Sequence, residues 1–166
     1  MKVSTLETIF RALGEAGVRY LVAGGVAVVA HGYLRLTKDV DLFVDLDPAN
    51  VIRALEVLEA LDYRPHQPVT AAQFADPQQR RRLIREKGMK VLTLYSNRYP
   101  DTPVDLFVDE PLSFEEEYER ALVKELAPGL RVPFVSRAAL IRLKREAGRP
   151  QDMADIDQLE LLADDP

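Results

Sequence analysis

The stretch VAGGVAVVAHGYLRLTKDVDLFV, residues 22–44, decides how this sequence is read. It opens on a glycine pair, Gly24-Gly25, and closes on two aspartates, Asp39 and Asp41, one residue apart at the start of an apolar run. A short run rich in Val, Leu and Phe predicts a buried strand. Side chains alternate faces along a strand, so Asp39 and Asp41 fall on one side and Val40, Leu42 and Val44 on the other. Two adjacent carboxylates repel, and burial raises the pKa of one of them. A divalent cation removes the conflict. Carboxylate oxygens are the ligands Mg²⁺ prefers, one or two of them with substrate phosphates completing the shell.

A third acid lies further along. Val-Asp-Leu-Phe-Val-Asp occurs at 40–45 and again at 104–109, which makes Asp105 the counterpart of Asp41. Three carboxylates suit two metal ions about 3.5–4 Å apart, the arrangement used for in-line phosphoryl displacement. The glycine pair sits where a predicted strand, VRYLVAGG, meets a short predicted helix, VAVVAHGY. Glycine lets a backbone approach phosphate closely, and a helix start offers free N–H groups. Carboxylates and glycines at this spacing together describe a nucleoside triphosphate site.

Outward from this stretch, VSTLETIFRALGEAG has apolar residues at helical spacing, with Ser4 and Glu7 placed as a capping box and Gly17 as a stop. Asp47-Pro48 opens a helix to about Leu61. Residues 64–80, rich in Pro and Gln, read as an irregular excursion. MKVLTLYS and TPVDLFVDE are two strands joined through a Pro-containing turn, and SFEEEYERAL is a helix. LAPGLRVPFVS is a hairpin on a Pro-Gly turn. SRAALIRLKREAG is a helix with Ser136 as N-cap and Gly148 as stop, and a closing helix starts at Pro150. This alternation predicts an α/β (α+β) fold with a mixed sheet flanked by helices. Residues 1–135 read as the core and 136–166 as a helical part packed on it, in a single domain.

With 166 residues, the chain is long enough for a core of its own. The absence of cysteine excludes disulfides, thiolate metal sites and thiol nucleophiles. A net charge of −5 argues against a general nucleic-acid binder. The one basic concentration, QQRRRLIREKGMK, reads either as a contact for RNA phosphates or as a solvated helix face. MKVSTLETIF has no apolar leader and no run is long enough for a membrane span, so a cytoplasmic protein with no membrane partner is expected. Nothing in the sequence indicates the oligomeric state.

The residues resemble the active-site signature of the DNA polymerase β-like nucleotidyltransferase superfamily: a glycine pair, a short helix, Asp-x-Asp on a strand and a third Asp later. The form is similar to the bacterial abortive-infection toxin type, in which Arg-x-Thr-x-Asp-hydrophobic-Asp is usual; Arg35, Thr37, Asp39 and Asp41 match it. LKREAGRPQDMADIDQL resembles the C-terminal motif of that branch through Lys144, Arg149, Asp152 and Asp155. The resemblance implies a catalytic and metal-binding set of Asp39, Asp41 and Asp105, with Mg²⁺ or Mn²⁺, Asp105 also activating the attacking hydroxyl. It implies nucleotide binding by Gly24, Gly25, Arg35, Thr37 and Lys144. It further implies transfer of an NMP from an NTP to a hydroxyl acceptor, an RNA 3′ end such as that of tRNA or a protein, and a role as a toxin partnered by an antitoxin. One departure stands out: many superfamily members have Gly-Ser where this chain has Gly24-Gly25. A non-catalytic relative that binds a nucleotide or a partner is the alternative this leaves open. Lys144 alone also reads as a solvated helix residue, Arg149, Asp152 and Asp155 as a helix-entry capping network, and His31 as structural.

Overall fold

The computed structural model describes residues 1–162. Helix α1 (Val3–Glu15) buries Ile9, Phe10 and Leu13 along one stripe. It starts at Lys2 without a side-chain cap. The expected Ser4–Glu7 box does not form, because Ser4 lies inside the first turn, where its carbonyl accepts from the Thr8 hydroxyl at 2.8 Å. Gly17 does end the helix. At φ +67° it lets Val18 N donate back to Leu13 O at 3.0 Å and its own N–H to Gly14 O at 3.0 Å, a Schellman closure.

Next come β1 (Tyr20–Val22), α2 (Gly24–Ala30), β2 (Val40–Val44) and α3 (Pro48–Ala60). Asp47 caps α3 by accepting from Ala49 N and Asn50 N, with Pro48 in the first turn. The segment read as an irregular excursion is ordered: it carries the end of β3 (Tyr63–Pro65), all of α4 (Ala71–Ala75) and the first turn of α5 (Pro77–Lys87). The prolines misled that reading, since Pro77 stands at a helix start, where its missing N–H costs nothing. Thr70 and Gln73 cap α4 reciprocally, and Asp76 caps α5. The basic run lies on α5, but Arg80 is buried, donating to Phe74 O and Ala75 O at 2.7 and 2.8 Å. Strands β4 (Val91–Ser96) and β5 (Val104–Phe107), helix α6 (Phe114–Glu119), the Pro128-Gly129 hairpin of β6 (Leu122–Ala127) and β7 (Leu130–Phe134), and helices α7 (Arg137–Ala147) and α8 (Pro150–Leu161) complete the order.

The seven strands make one mixed sheet in the order β3-β4-β5-β2-β1-β7-β6. β2 runs antiparallel to β1 and parallel to β5, and β5 runs antiparallel to β4. The repeated Val-Asp-Leu-Phe motifs lie side by side in register, Val40 against Val104, Asp41 against Asp105 and Leu42 against Leu106. Val40, Leu42, Val104 and Leu106 are fully buried on one face of the sheet. On the other face, Phe43 and Phe107 meet edge-on at 5.9 Å, and Phe114 of α6 packs on Phe43 at 5.6 Å. This aromatic cluster lies beside the aspartates on their own face. No described helix is long and apolar enough to cross a membrane.

Candidate active site

Asp41 and Asp105 face each other because β2 and β5 pair in parallel with no offset. Asp39 lies one residue before β2 and joins them: the three side chains each offer an oxygen within 4.8 Å of the others. Thr93 of β4 sits opposite Asp105 on the same face. Asp105 Oδ1 is buried and has no hydrogen-bond partner among the described residues.

The electrostatics follow from this crowding. Burial pushes the Asp41 carboxyl up to about 7; Asp39 and Asp105 push the same way, while Lys144 and Arg149 pull it down. Burial also raises the Asp105 carboxyl, with Asp39 adding to the shift and Thr93 opposing it. Arg149 is held in its charged form above all by Asp152, and more weakly by Asp41 and Asp39.

The glycine pair closes the other side. Gly24 has φ +59°, and a Cβ there would collide with the Asp41 carboxylate. A Cβ on Gly25 would run into Thr37 Oγ1 and Arg35 Nη2. Both glycines are therefore required by the site's own side chains, whatever ligand approaches them. Thr37 Oγ1 lies 3.4 Å from Asp39 Oδ1. Arg35 Nη1 donates to Leu36 O at 2.9 Å, and its Nε faces Asp155 Oδ1 at 3.0 Å.

Lys144 is not on a solvated face. It is 4% exposed, and its ammonium lies 2.7 Å from Asp155 Oδ2 and 3.3 Å from Asp152 Oδ1. Asp152 Oδ2 in turn accepts from Arg149 Nε at 2.7 Å and Arg149 N at 3.2 Å. The helix-entry network expected at Arg149 is present, and it continues inward to Lys144 and Arg35. His31 Nε2 donates to Val135 O, 2.9 Å away, in a structural contact.

Residues 2–165 match a family described as nucleotidyl transferase of unknown function (DUF2204). The chain belongs to that family. No curated protein sequence matches this nucleotidyltransferase significantly. Solved structures that resemble it include two antibiotic nucleotidyltransferases. The lincosamide antibiotic adenylyltransferase LnuA, with lincomycin bound, shares 16% identity at a TM-score of 0.57, over 90% of each chain. ANT(2″)-Ia, in complex with adenylyl-2″-tobramycin, shares 16% identity at a TM-score of 0.59, over 96% of this chain and 93% of that one. At that identity the likeness concerns the fold alone: the nucleotidyltransferase shares the mixed α/β architecture of these two enzymes.

Two features of this nucleotidyltransferase were hidden in its sequence. Thr93 enters the site only through strand register; the alternation Leu92-Thr93-Leu94-Tyr95 was the available signal, since Leu92 and Leu94 are core residues. The ion pair between Arg35 and Asp155 joins the two motifs that the resemblance treats separately, and no local pattern announces it.

Proposed function

We propose that this nucleotidyltransferase moves an NMP from an NTP to a hydroxyl acceptor with the help of Mg²⁺ or Mn²⁺. The observation that carries this reading is the unpartnered, buried Oδ1 of Asp105 within a trio of carboxylates. Such an atom is costly unless something absent from the protein itself satisfies it. An all-oxygen donor set fits a hard divalent cation. Asp39, Asp41 and Asp105 are the residues that would hold it. When bound, the cation supplies charge neutralisation for the triphosphate and the departing pyrophosphate. Asp105 is also the residue that would take the proton of an attacking hydroxyl. Gly24 and Gly25 keep the turn beside Asp41 free of side chains, and Arg35 and Thr37 occupy the space that a serine at position 25 would need. They stand in for that serine as donors to phosphate. Lys144, committed to two aspartates, lends its charge to Asp41 from within. In this reading residues 1–135 form the catalytic core of a cytoplasmic enzyme and the following helices complete its site.

The resemblance to the toxin-type branch points to an RNA 3′ end or a protein hydroxyl as acceptor, and to an antitoxin as partner. The names of the structural neighbours favour a second class, a small hydroxylated molecule. One assay separates them. The protein is incubated with each α-phosphate-labelled NTP, Mg²⁺ or Mn²⁺, and total RNA, cell protein, lincomycin or tobramycin, beside Asp39→Asn/Asp41→Asn. Label on one acceptor class, absent with the double variant, is the expected result. No transfer and no metal-dependent NTP binding would replace this reading with that of a non-catalytic relative.

A further inference from the structure

The buried ion network behind the carboxylates has a composition that folding alone does not call for. Asp155 is fully buried, and three groups converge on it: Arg35 Nε at 3.0 Å, Lys144 Nζ at 2.7 Å and Gln151 Nε2 at 3.0 Å. Asp152, 1% exposed, binds Lys144 and Arg149. Buried ion pairs are weak contributors to stability, and a well-packed apolar substitute often serves as well. What this network does achieve is geometric. Asp155 Oδ1 pairs by charge with Arg35 Nε at 3.0 Å, without a hydrogen bond between them; Leu36 O accepts from Nη1, and Nη2 is left lying over Gly25. A guanidinium presents its donors in a rigid fork, so fixing one edge fixes the direction of the rest.

We propose that Asp155 is a positioning residue for nucleotidyl transfer: from α8 it holds Arg35 over the Gly24-Gly25 turn, so that Nη2 donates to a phosphate oxygen of the NTP. Asp155 touches neither substrate nor metal and acts through Arg35. The chain's C-terminal motif then serves to aim a residue of its N-terminal motif. This inference rests on the NTP site proposed above.

The test is a thermodynamic cycle read by the Kd of Mn²⁺·NTP, for each of the four NTPs, in titration calorimetry. In the wild-type protein, Arg35→Gln is expected to weaken binding about tenfold, the size of effect seen when an orienting partner is lost. Asp155→Asn should weaken it to a similar extent. Because that variant strips Lys144 of one buried partner, Lys144→Met/Asp155→Asn, which removes cation and anion together, is measured as a second background. In either Asp155 background, adding Arg35→Gln should change Kd by less than about twofold, since an unaimed guanidinium has little left to lose. Asp157→Asn, exposed on the same helix, should bind as wild type. A tenfold Arg35 effect that persists in both Asp155 backgrounds would overturn the positioning role while leaving the NTP site intact. So would an Arg35→Gln protein that binds normally while Asp39→Asn/Asp41→Asn does not. Wild-type protein that binds no NTP in Mn²⁺ would instead bring down the site itself, and this inference with it.

Discussion

Position 25 has no room for a serine, because Thr37 Oγ1 and Arg35 Nη2 already fill the space a Cβ would take. Gly25→Ser therefore adds a side chain where Thr37 and Arg35 already stand and must displace them. Overpacking of this kind costs about 1–3 kcal/mol. The variant should unfold at lower urea and bind NTP more weakly than wild type; equal stability with tighter binding would refute the account of the glycine. Asp41 makes a second prediction. In metal-free protein its folded pKa of about 7 lies above the ordinary carboxylate value of 3.8. Folding then takes up a proton, so its contribution is full below the ordinary value and is lost as pH rises towards 7, by at most about 1.4 kcal/mol per pH unit. In EDTA, Asp41→Asn should gain stability on wild type between pH 4 and pH 7 and keep a constant lead above. Saturating Mn²⁺ at pH 8 should reverse that order, because only wild type has the ligand. Thermal melts across this pH range, with and without metal, check both statements. Asp41 and Asp105 were legible in the sequence because a repeated strand motif marked them, and Asp39 because it stands two residues before Asp41. The alternative reading of Lys144 as a solvated helix residue fails because Asp152 and Asp155 reach it once the chain turns from α7 into α8.

Among the elements, the strands and the long helices were readable from apolar spacing and caps, as Asp47-Pro48 and Gly17 show. The α4–α5 segment was not, although Asp76-Pro77 repeats the Asp47-Pro48 start signal. Proline density was weighed as disruption, when one of the prolines marks a helix entry. Asp76 accepts from Gln78 N at 2.7 Å and Gln79 N at 3.2 Å. Asp76→Ala should cost about 1 kcal/mol of stability by denaturant titration and leave NTP affinity unchanged. No loss of stability would show that α5 does not depend on its cap. The parallel register of β2 and β5 was implied by their shared motif but could not be derived from it, because pairing depends on a crossover through α3, α4 and α5.

At the scale of the molecule, the site is built on β2 and β5, interior strands of a seven-stranded sheet, with the network of α7 and α8 behind it. Strands held on both edges are the least free to open, which suits a constellation that must keep three like charges together. The whole chain is acidic at −5, so attraction of a triphosphate cannot come from net charge and must be local. In the proposed reading Lys144, Arg149 and Arg35 would supply that local charge, and each is paired with Asp152 or Asp155. Calorimetric titration of NTP into the protein, with and without Mn²⁺, beside Asp39→Asn/Asp41→Asn, tests this claim most directly. The account predicts NTP binding that requires the metal and is lost in the double variant. NTP binding of equal strength in both proteins, or none in wild type at saturating Mn²⁺, would contradict it.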